Sequence, residues 1–452
     1  MGELVLDTPI IKLLPDSNFT LVDRFRTEHV TFRDLLAHRL CVIRDDLQLQ
    51  AEPFDTVEEI VFRIRYAEDV CGLRTSQVYN NQMFIALSLL VRQITGRSYE
   101  DMGYELLNEI GMFNSAFIAK ADDFPNMFHR AQPYYVVDNV AYPTNPELIK
   151  RVAPTTIAAG GLFTTPNDMA RYLRLHLNLG KIDGKQIIPE EVMLWTREPS
   201  IHFPYSDFKI TDNDITTNTL SYGLALRLGI YDGWEHINHG GYFPPYKSLI
   251  SMFPALKLGI FTSSNQAPSL VDQTVLHSFI FETLRGNENA RKVAETVHKK
   301  EQRRHLEEMN SKKKQLGAFL RASEKEGFHP SPNEIVGRYG NGLSGELEIF
   351  FKFNPNINGT GLYLSYGKWL KGWMERTDNY GVYNLIWDTD IVHDDYAWGL
   401  SDGRSMYASV KAGKIDLITI TPYGELFRGQ FEKEFRFDKL PIIPWNSENC
   451  SN

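Results

Sequence analysis

The stretch SQVYNNQMFIALSLLVRQITG, residues 76–96, places a tyrosine and two asparagines directly before an apolar run. Apolar side chains recur there every three or four residues, which is the spacing of one helix face. Gly96 is typical of a helix C-terminus, so a helix is predicted. Asn81 is then either the N-cap of this helix or part of a functional site, and Tyr79 is either a half-buried tyrosine or its companion. Neither residue alone decides between these alternatives.

The chain has 452 residues, a length that favours two domains, one of them large. Its 42% hydrophobic and 23% charged residues are typical of a globular protein. The net charge of -9 excludes the basic surface of a nucleic-acid binder or of a protein that binds anionic membranes. No apolar run reaches the roughly 18 residues of a membrane span, so no integral membrane segment is predicted. The partner is expected to be small or neutral, and the oligomeric state stays open.

The compartment is left open by the sequence. Residues 1–16 carry acidic side chains where a secretory signal would be basic, so no signal is predicted; secretion is the alternative if a signal lies upstream. The cysteines are widely spaced and predict neither a zinc site nor a disulfide framework; they are Cys41, Cys71 and Cys450. Glycosylation sequons, of which about two are expected by chance, begin at Asn18, Asn358 and Asn449.

The organisation of the chain follows from three changes of pattern. Thr165 and Pro166 open a predicted amphipathic helix that stops at Gly180. Alternating runs from residue 222 to 265 then predict antiparallel strands, with turns at Asp232-Gly233 and around Pro254. We expect a large domain over 1–285, a charged helical linker over 286–330, a small β-barrel-like or sandwich domain over 331–440 and a tail over 441–452.

Five motifs occur in one order: VTFRDLLAHR (30–39), VYNN (78–81), AAGGLFTTPNDMARYL (158–173), YGLALRL (222–228) and NHGGYFPPYKSLISMFPALKLGIFTSSN (238–265). This order resembles the β-lactamase-related serine hydrolases, which include class C β-lactamases, penicillin-binding proteins, D-aminopeptidases and esterases. The resemblance runs from about residue 4 to 284, and EIVGRYGNGLSGELEIFF onward is similar to the small β domain appended to many of them. It implies an α/β (α+β) fold of the β-lactamase/transpeptidase type, with helices flanking an antiparallel sheet.

The same resemblance implies roles for individual residues. Tyr79 and Asn81 match the family's Tyr-x-Asn, in which the tyrosine is general base or acid and the asparagine orients the substrate amide. His239 begins the Lys- or His-x-Gly element; the alternative is a partly buried strand histidine. The glycines that follow allow substrate backbone to approach, and the next N–H would be an oxyanion-hole donor; these residues are Gly240, Gly241 and Tyr242.

The family's nucleophile, a Ser-x-x-Lys that opens a buried helix, is expected upstream of Met1, so the 452-residue form has no predicted nucleophile. Other Ser-x-x-Lys matches at 206/209, 311/314 and 365/368 open no apolar helix. Cys41 has no base beside it in sequence and is predicted to be a packing residue. The loop AHRLCVIRDD also departs from the family, whose members have Thr-Gly or Ser-Gly followed by Leu-Pro.

A serine hydrolase of amides or esters, inactive in this form, is therefore the preferred prediction, with no cofactor and no metal. The alternative is a non-catalytic pseudoenzyme that acts as a binding or matrix protein. A missing nucleophile helix would remove on the order of 10 kcal/mol of burial, against a total stability of about 5 to 15 kcal/mol. Marginal stability is expected, and an incomplete gene model or truncated isoform is favoured over a working pseudoenzyme.

Overall fold

The computed structural model describes residues 2–117, 130–137, 140–144, 153–203, 218–243, 245–267, 272–326, 330–355, 357–378, 381–387, 404–411, 414–420 and 429–436. The helices of the described residues are α1 (Gly2–Asp7), α2 (Ile10–Leu13), α3 (Arg24–His29), α4 (Phe32–Leu36), α5 (Asp46–Ala51), α6 (Val57–Arg63), α7 (Asn81–Thr95), α8 (Tyr99–Ile110), α9 (Ala153–Gly160), α10 (Pro166–Leu177), α11 (Glu190–Trp195), α12 (Gln273–Leu284), α13 (Ala290–Glu326) and α14 (Pro332–Ile335). None of them is both long and apolar enough to cross a bilayer.

The strands before the long helix α13 are β1 (Ala116–Phe117), β2 (Tyr134–Val137), β3 (Val140–Pro143), β4 (Leu162–Phe163), β5 (Lys181–Ile182), β6 (Lys185–Gln186), β7 (Ile201–His202), β8 (Asn218–Tyr222), β9 (Arg227–Tyr231), β10 (Trp234–Phe243), β11 (Tyr246–Phe253), β12 (Leu258–Ser264) and β13 (Gln266–Ala267). Those after it are β14 (Gly337–Asn341), β15 (Gly345–Asn354), β16 (Gly359–Tyr366), β17 (Leu370–Arg376), β18 (Val382–Trp387), β19 (Arg404–Lys411), β20 (Lys414–Ile420) and β21 (Gly429–Lys433).

Both helices predicted from capping signals are confirmed. The Thr165 side chain accepts the N–H of Asp168 and Pro166 is the first residue of α10. This helix ends at Leu177, three residues before the predicted stop at Gly180. Helix α7 ends where the sequence predicts, because Gly96 adopts the left-handed conformation, φ 69°, that closes a helix C-terminus.

The main sheet has six strands in the order β12-β11-β10-β9-β8-β7, and its pairs are antiparallel as predicted. Helix α10 packs on one face, where Leu173 and Leu177 meet Ile237 of β10. Helix α12 contributes Phe281 to a second cluster with Tyr231 of β9. Helices on both faces of an antiparallel sheet give the β-lactamase/transpeptidase-like arrangement that the sequence predicts.

Helix α7 is the centre of the helical region. It packs against α4, α6 and α9. Its side chains Met83, Ile85, Ala86 and Leu90 are at most 1% exposed and belong to the largest apolar cluster of the described residues. Because α7 is fixed on several sides, its N-terminus, which carries Tyr79 and Asn81, has a defined position.

The C-terminal strands β14 to β21 form a closed antiparallel barrel in sequential order. The prediction of a small β structure, barrel or sandwich, is therefore resolved in favour of the barrel. The charged segment before it is the helix α13, whose first turns pack on α12 through Ala290, Ala294 and Val297. The four domain limits stay a prediction, and the predicted tail over 441–452 lies outside the described residues.

Helix α5 joins the large domain to the barrel. Its Leu47 and Ala51 are buried within the apolar core of the barrel. The backbone N–H groups of Lys368 and Trp369 donate to the Ala51 carbonyl at 2.8 and 3.3 Å. Gly367, φ 59°, is required at this turn, because a Cβ there would lie 2.2 Å from the same oxygen. A helix that precedes the barrel by hundreds of residues therefore contributes side chains to its apolar core.

The prediction that the cysteines form no disulfide framework missed one bond. Cys41 and Cys71 form a disulfide bond between two loops that precede α7. The backbone bridge between Val42 and Asp69 holds these loops side by side. Wide spacing in sequence concealed the pair, since loops 30 residues apart meet only after folding. Cys41 is therefore a cross-linked residue rather than an isolated packing thiol.

Candidate active site

Tyr79 lies against the ring of His38, with 4.1 Å between the ring centroids. His38 is 1% exposed and its Nδ1 accepts the backbone N–H of Asn80 at 3.2 Å. Burial lowers the pKa of His38 to about 3, with the neighbouring His239 contributing to the same direction. His38 is therefore a neutral ring that orients the segment carrying Tyr79.

The N-cap of α7 is Asn80, not Asn81. The Asn80 side chain accepts the N–H of Gln82 at 2.9 Å and donates to the carbonyl of Ile43 at 3.1 Å. Asn81 instead donates from Nδ2 to Oδ1 of Asp46 at 3.2 Å. The capping alternative for Asn81 is thus excluded by the structure, and its amide belongs to the polar side of the site.

Asp46 is the first residue of α5, the helix that enters the barrel core. Burial raises the pKa of Asp46, while Arg44 and the hydrogen bond from Asn81 act in the opposite direction. The Arg44 Nε lies 3.9 Å from the Asp46 carboxylate. Asp46 is the last residue of the segment AHRLCVIRDD, so this segment supplies the carboxylate that contacts Asn81.

His239 lies in β10, where its Nε2 is 3.0 Å from the hydroxyl of Tyr222 in β8. Its ring centroid is 6.2 Å from that of Tyr79. The two predicted elements, Tyr-x-Asn and His-Gly-Gly, therefore come together where the start of α7 faces the sheet. Burial lowers the pKa of His239 to about 4, and the charge of Arg227 adds to this effect.

The two glycines after His239 have different neighbours. A Cβ on Gly241 would lie 2.4 Å from the Ser248 Oγ, so this glycine makes room for a side chain of β11. A Cβ on Gly240 would have only the Ser248 carbonyl oxygen within 4 Å, at 3.7 Å. In the described residues, the ladder between β9 and β10 ends at the pair Arg227 and Asn238. Tyr242 lies near the end of β10, opposite Lys247 of β11.

The titratable groups at the centre of the site are neutral at pH 7. Burial raises the pKa of Tyr79; Arg227 and Arg44 oppose this without reversing it. Burial also raises the pKa of Tyr222, and the nearby Tyr79 phenol acts in the same direction. With the imidazoles of His38 and His239 uncharged as well, the cluster offers hydrogen bonds rather than a net charge to a ligand.

Two of the other Ser-x-x-Lys matches lie in described segments. Ser365 is in β16 of the barrel, and Lys368 forms ion pairs with Asp55 and Glu52. Residues 311 and 314 lie within α13. The match at 206/209 falls outside the described residues.

Sequence reasoning missed His38, Tyr222 and Asp46 as members of the site. His38 and Tyr222 stand within the motifs AHR and YGLALRL that carry the family resemblance, so their presence in those motifs was the available signal. Asp46 offered none, because its contact with Asn81 joins residues 35 positions apart.

Comparisons with known proteins identify the family of the chain. The family profile described as Beta-lactamase matches residues 1–285. Two curated relatives are named unguisins hydrolases. The hydrolase ungD' of Aspergillus campestris is 24% identical over a match that covers 57% of this chain and 46% of the relative. The hydrolase ungD of Aspergillus violaceofuscus is 23% identical over a match that covers 57% of this chain and 47% of the relative. The chain thus spans about half the length of the curated relatives it matches.

Among solved structures, the octameric penicillin-binding protein homologue from Pyrococcus abyssi is similar in fold, with a TM-score of 0.52 and 18% identity. The match covers 95% of this chain and 82% of the homologue, so it includes the barrel region as well as the large domain. The family profile covers more than half of the 452 residues. The chain belongs to the β-lactamase family of serine hydrolases.

Proposed function

We propose that the cleft between Tyr79 and His239 binds an amide or ester group of a small molecule or peptide, and that the 452-residue chain forms no acyl-enzyme by itself. The observation that carries the proposal is the neutral cluster in which Tyr222 and His239 lie 3.0 Å apart beside the Tyr79 ring. Neutral donors and acceptors match the carbonyl and N–H of an uncharged acyl group.

The residues have distinct roles in this proposal. The phenol of Tyr79 donates a hydrogen bond to the bound group, because it stays protonated. The Nδ2 of Asn81 donates to Asp46. The Oδ1 of Asn81 would accept an N–H from the amide of the ligand.

The proposed lack of acylation follows from proton transfer. A serine nucleophile must lose its proton to a base as it attacks. With a pKa above its ordinary value of 10.0, fewer than about one Tyr79 in a thousand is ionised at pH 7. The raised pKa of Tyr79 also favours the second candidate, a binding protein without catalysis.

The test is covalent labelling of the purified 452-residue chain by a fluorophosphonate and by a fluorescent penicillin, read by intact mass. We expect binding without a covalent adduct, and a class C β-lactamase treated in parallel serves as the positive control. Stoichiometric labelling of any serine would contradict the proposal.

A further inference from the structure

The hairpin between β15 and β16 ends in the sequon Asn358-Gly359-Thr360, which the candidate active site does not use. We infer that Asn358 is an N-glycosylation site and that this tip of the barrel carries an N-linked glycan in the natural protein. The inference is independent of the proposed function, because it rests on the hairpin tip and on the disulfide bond.

The two sequon residues that a glycosyltransferase recognises, Asn358 and Thr360, are exposed. Asn358 is exposed and adopts φ 47°, a left-handed conformation that asparagine tolerates at turns. A Cβ built on Gly359 would meet only atoms of Ile357, at 3.7 Å or more. Thr360 is exposed as well and lies opposite Phe353 in the β-ladder. The acceptor amide and the threonine hydroxyl that the transferase requires are therefore on the surface.

Large apolar side chains surround the same tip. Phe353 is 61% exposed, Ile357 is 64% exposed and Phe351 is 44% exposed. Apolar groups concentrated in this way are a liability unless something covers them. The first sugar of a glycan on Asn358 has an apolar ring face that can cover such side chains, while its hydroxyl groups face water. The position of the sequon explains why this patch is tolerated.

The disulfide supplies the second observation. Cys41 and Cys71 are bonded in the large domain, and such bonds form and persist in oxidising compartments such as the endoplasmic reticulum. N-linked glycans are added in that compartment. The disulfide bond therefore favours the compartment in which the glycan on Asn358 would be added.

The chemistry is the transfer of an oligosaccharide from a lipid-linked diphosphate donor by a host transferase. Nδ2 of Asn358 attacks C1 of the reducing-end sugar and forms the C–N bond. The C1–O bond to the diphosphate breaks, and the lipid diphosphate leaves with the electron pair. The displaced amide proton passes to a base of the transferase.

The direct test uses the natural protein isolated from its own cells. Peptide N-glycosidase treatment in ¹⁸O-labelled water converts a glycosylated Asn358 into ¹⁸O-labelled aspartate, which peptide mass spectrometry detects. We expect the label at residue 358. Recovery of the peptide with an unmodified asparagine throughout, before any treatment, would overturn the inference.

A variant series tests the acceptor itself. The chain is secreted from a eukaryotic host with an added signal peptide, and its intact mass is compared before and after glycosidase treatment. Asn358→Gln and Thr360→Ala should remove one glycan, whereas Thr360→Ser should keep it, and Asn18→Gln should leave the label at residue 358 in place. Retention of every wild-type glycan by secreted Asn358→Gln would contradict the inference, and Thr360→Ser controls for folding of the hairpin.

Discussion

The hydroxyl of Tyr222 lies 3.0 Å from Nε2 of His239 and joins β8 to β10 beside the Tyr79 ring. Tyr222 is 1% exposed, so its hydrogen bond is shielded from water. A shielded bond of this kind fixes the imidazole in one orientation, because an unpaired ring nitrogen would be costly there. The position of the His239 ring thus depends on a residue from another strand.

Tyr222→Phe should lower the free energy of unfolding by about 1 to 3 kcal/mol, since it leaves a buried nitrogen of His239 without its partner. The variant should also shift the ¹⁵N resonance of the His239 ring. Tyr383→Phe is the matched control, because it removes a buried hydroxyl that bonds the Pro330 carbonyl in the barrel. The control should cost stability and leave the His239 resonance unchanged; an unchanged resonance in Tyr222→Phe would show that the bond is absent.

The Cys41–Cys71 bond should appear in non-reducing peptide maps of the protein produced under oxidising conditions. Replacing both cysteines by alanine should lower the free energy of unfolding by roughly 2 to 4 kcal/mol, because the unfolded chain regains the entropy of an open loop. Urea unfolding measures the difference. Two free thiols at these positions, or no loss of stability in the double variant, would contradict the assignment.

The hydrogen bond from Ser344 to Asp45 should help to hold α5 against the barrel. The Ser344 hydroxyl donates to the carboxylate of Asp45, which is the N-cap of α5. This carboxylate is buried, and burial raises its pKa to about 6. Ser344→Ala should therefore cost about 1 to 3 kcal/mol in urea unfolding, as a buried carboxylate loses a hydrogen bond. Ser365→Ala, in β16 of the same barrel, is the control and should change stability by less than about 0.5 kcal/mol. Equal effects of the two substitutions would argue against the anchoring role.

Buried histidines predict a loss of stability in mild acid. Burial lowers the pKa of His277 to about 4 and that of His236 to about 3, with each ring neutral in the folded protein. Unfolded histidine titrates near pH 6.5, so the unfolded state binds protons first as the pH falls. The stabilisation is complete above about pH 6.5 and is lost as the pH falls from there towards 4.

His277→Gln tests this assignment. Its ring bonds Ser251 through Nδ1 at 2.8 Å and Thr262 through Nε2 at 2.9 Å, contacts that a glutamine amide partly replaces. The variant should show a weaker dependence of unfolding free energy on pH between 6.5 and 4.5 than the wild type. An identical slope in both proteins would show that His277 is not responsible.

The sequence predicted the parts of the site that local patterns encode. Capping and periodicity predicted the helix after Tyr79, which is confirmed, and ordered motifs predicted a role for His239 and its glycines, which stays a prediction. The sequence did not reveal Asn80 as the cap, because two adjacent asparagines fit the same position. The bond between Ser344 and Asp45 spans 299 positions, and no local pattern connects residues so far apart.

The central claim is that the tyrosine and histidine rings of the site are uncharged, with Tyr79 protonated at physiological pH. The most direct measurement is the pH titration of the Tyr79 ¹³Cζ resonance, assigned by comparison with Tyr79→Phe. We predict a midpoint above the ordinary tyrosine pKa of 10.0, since burial is the largest influence on this phenol. A midpoint more than one unit below about 10 would contradict the account, because Tyr79 would then be available as a base.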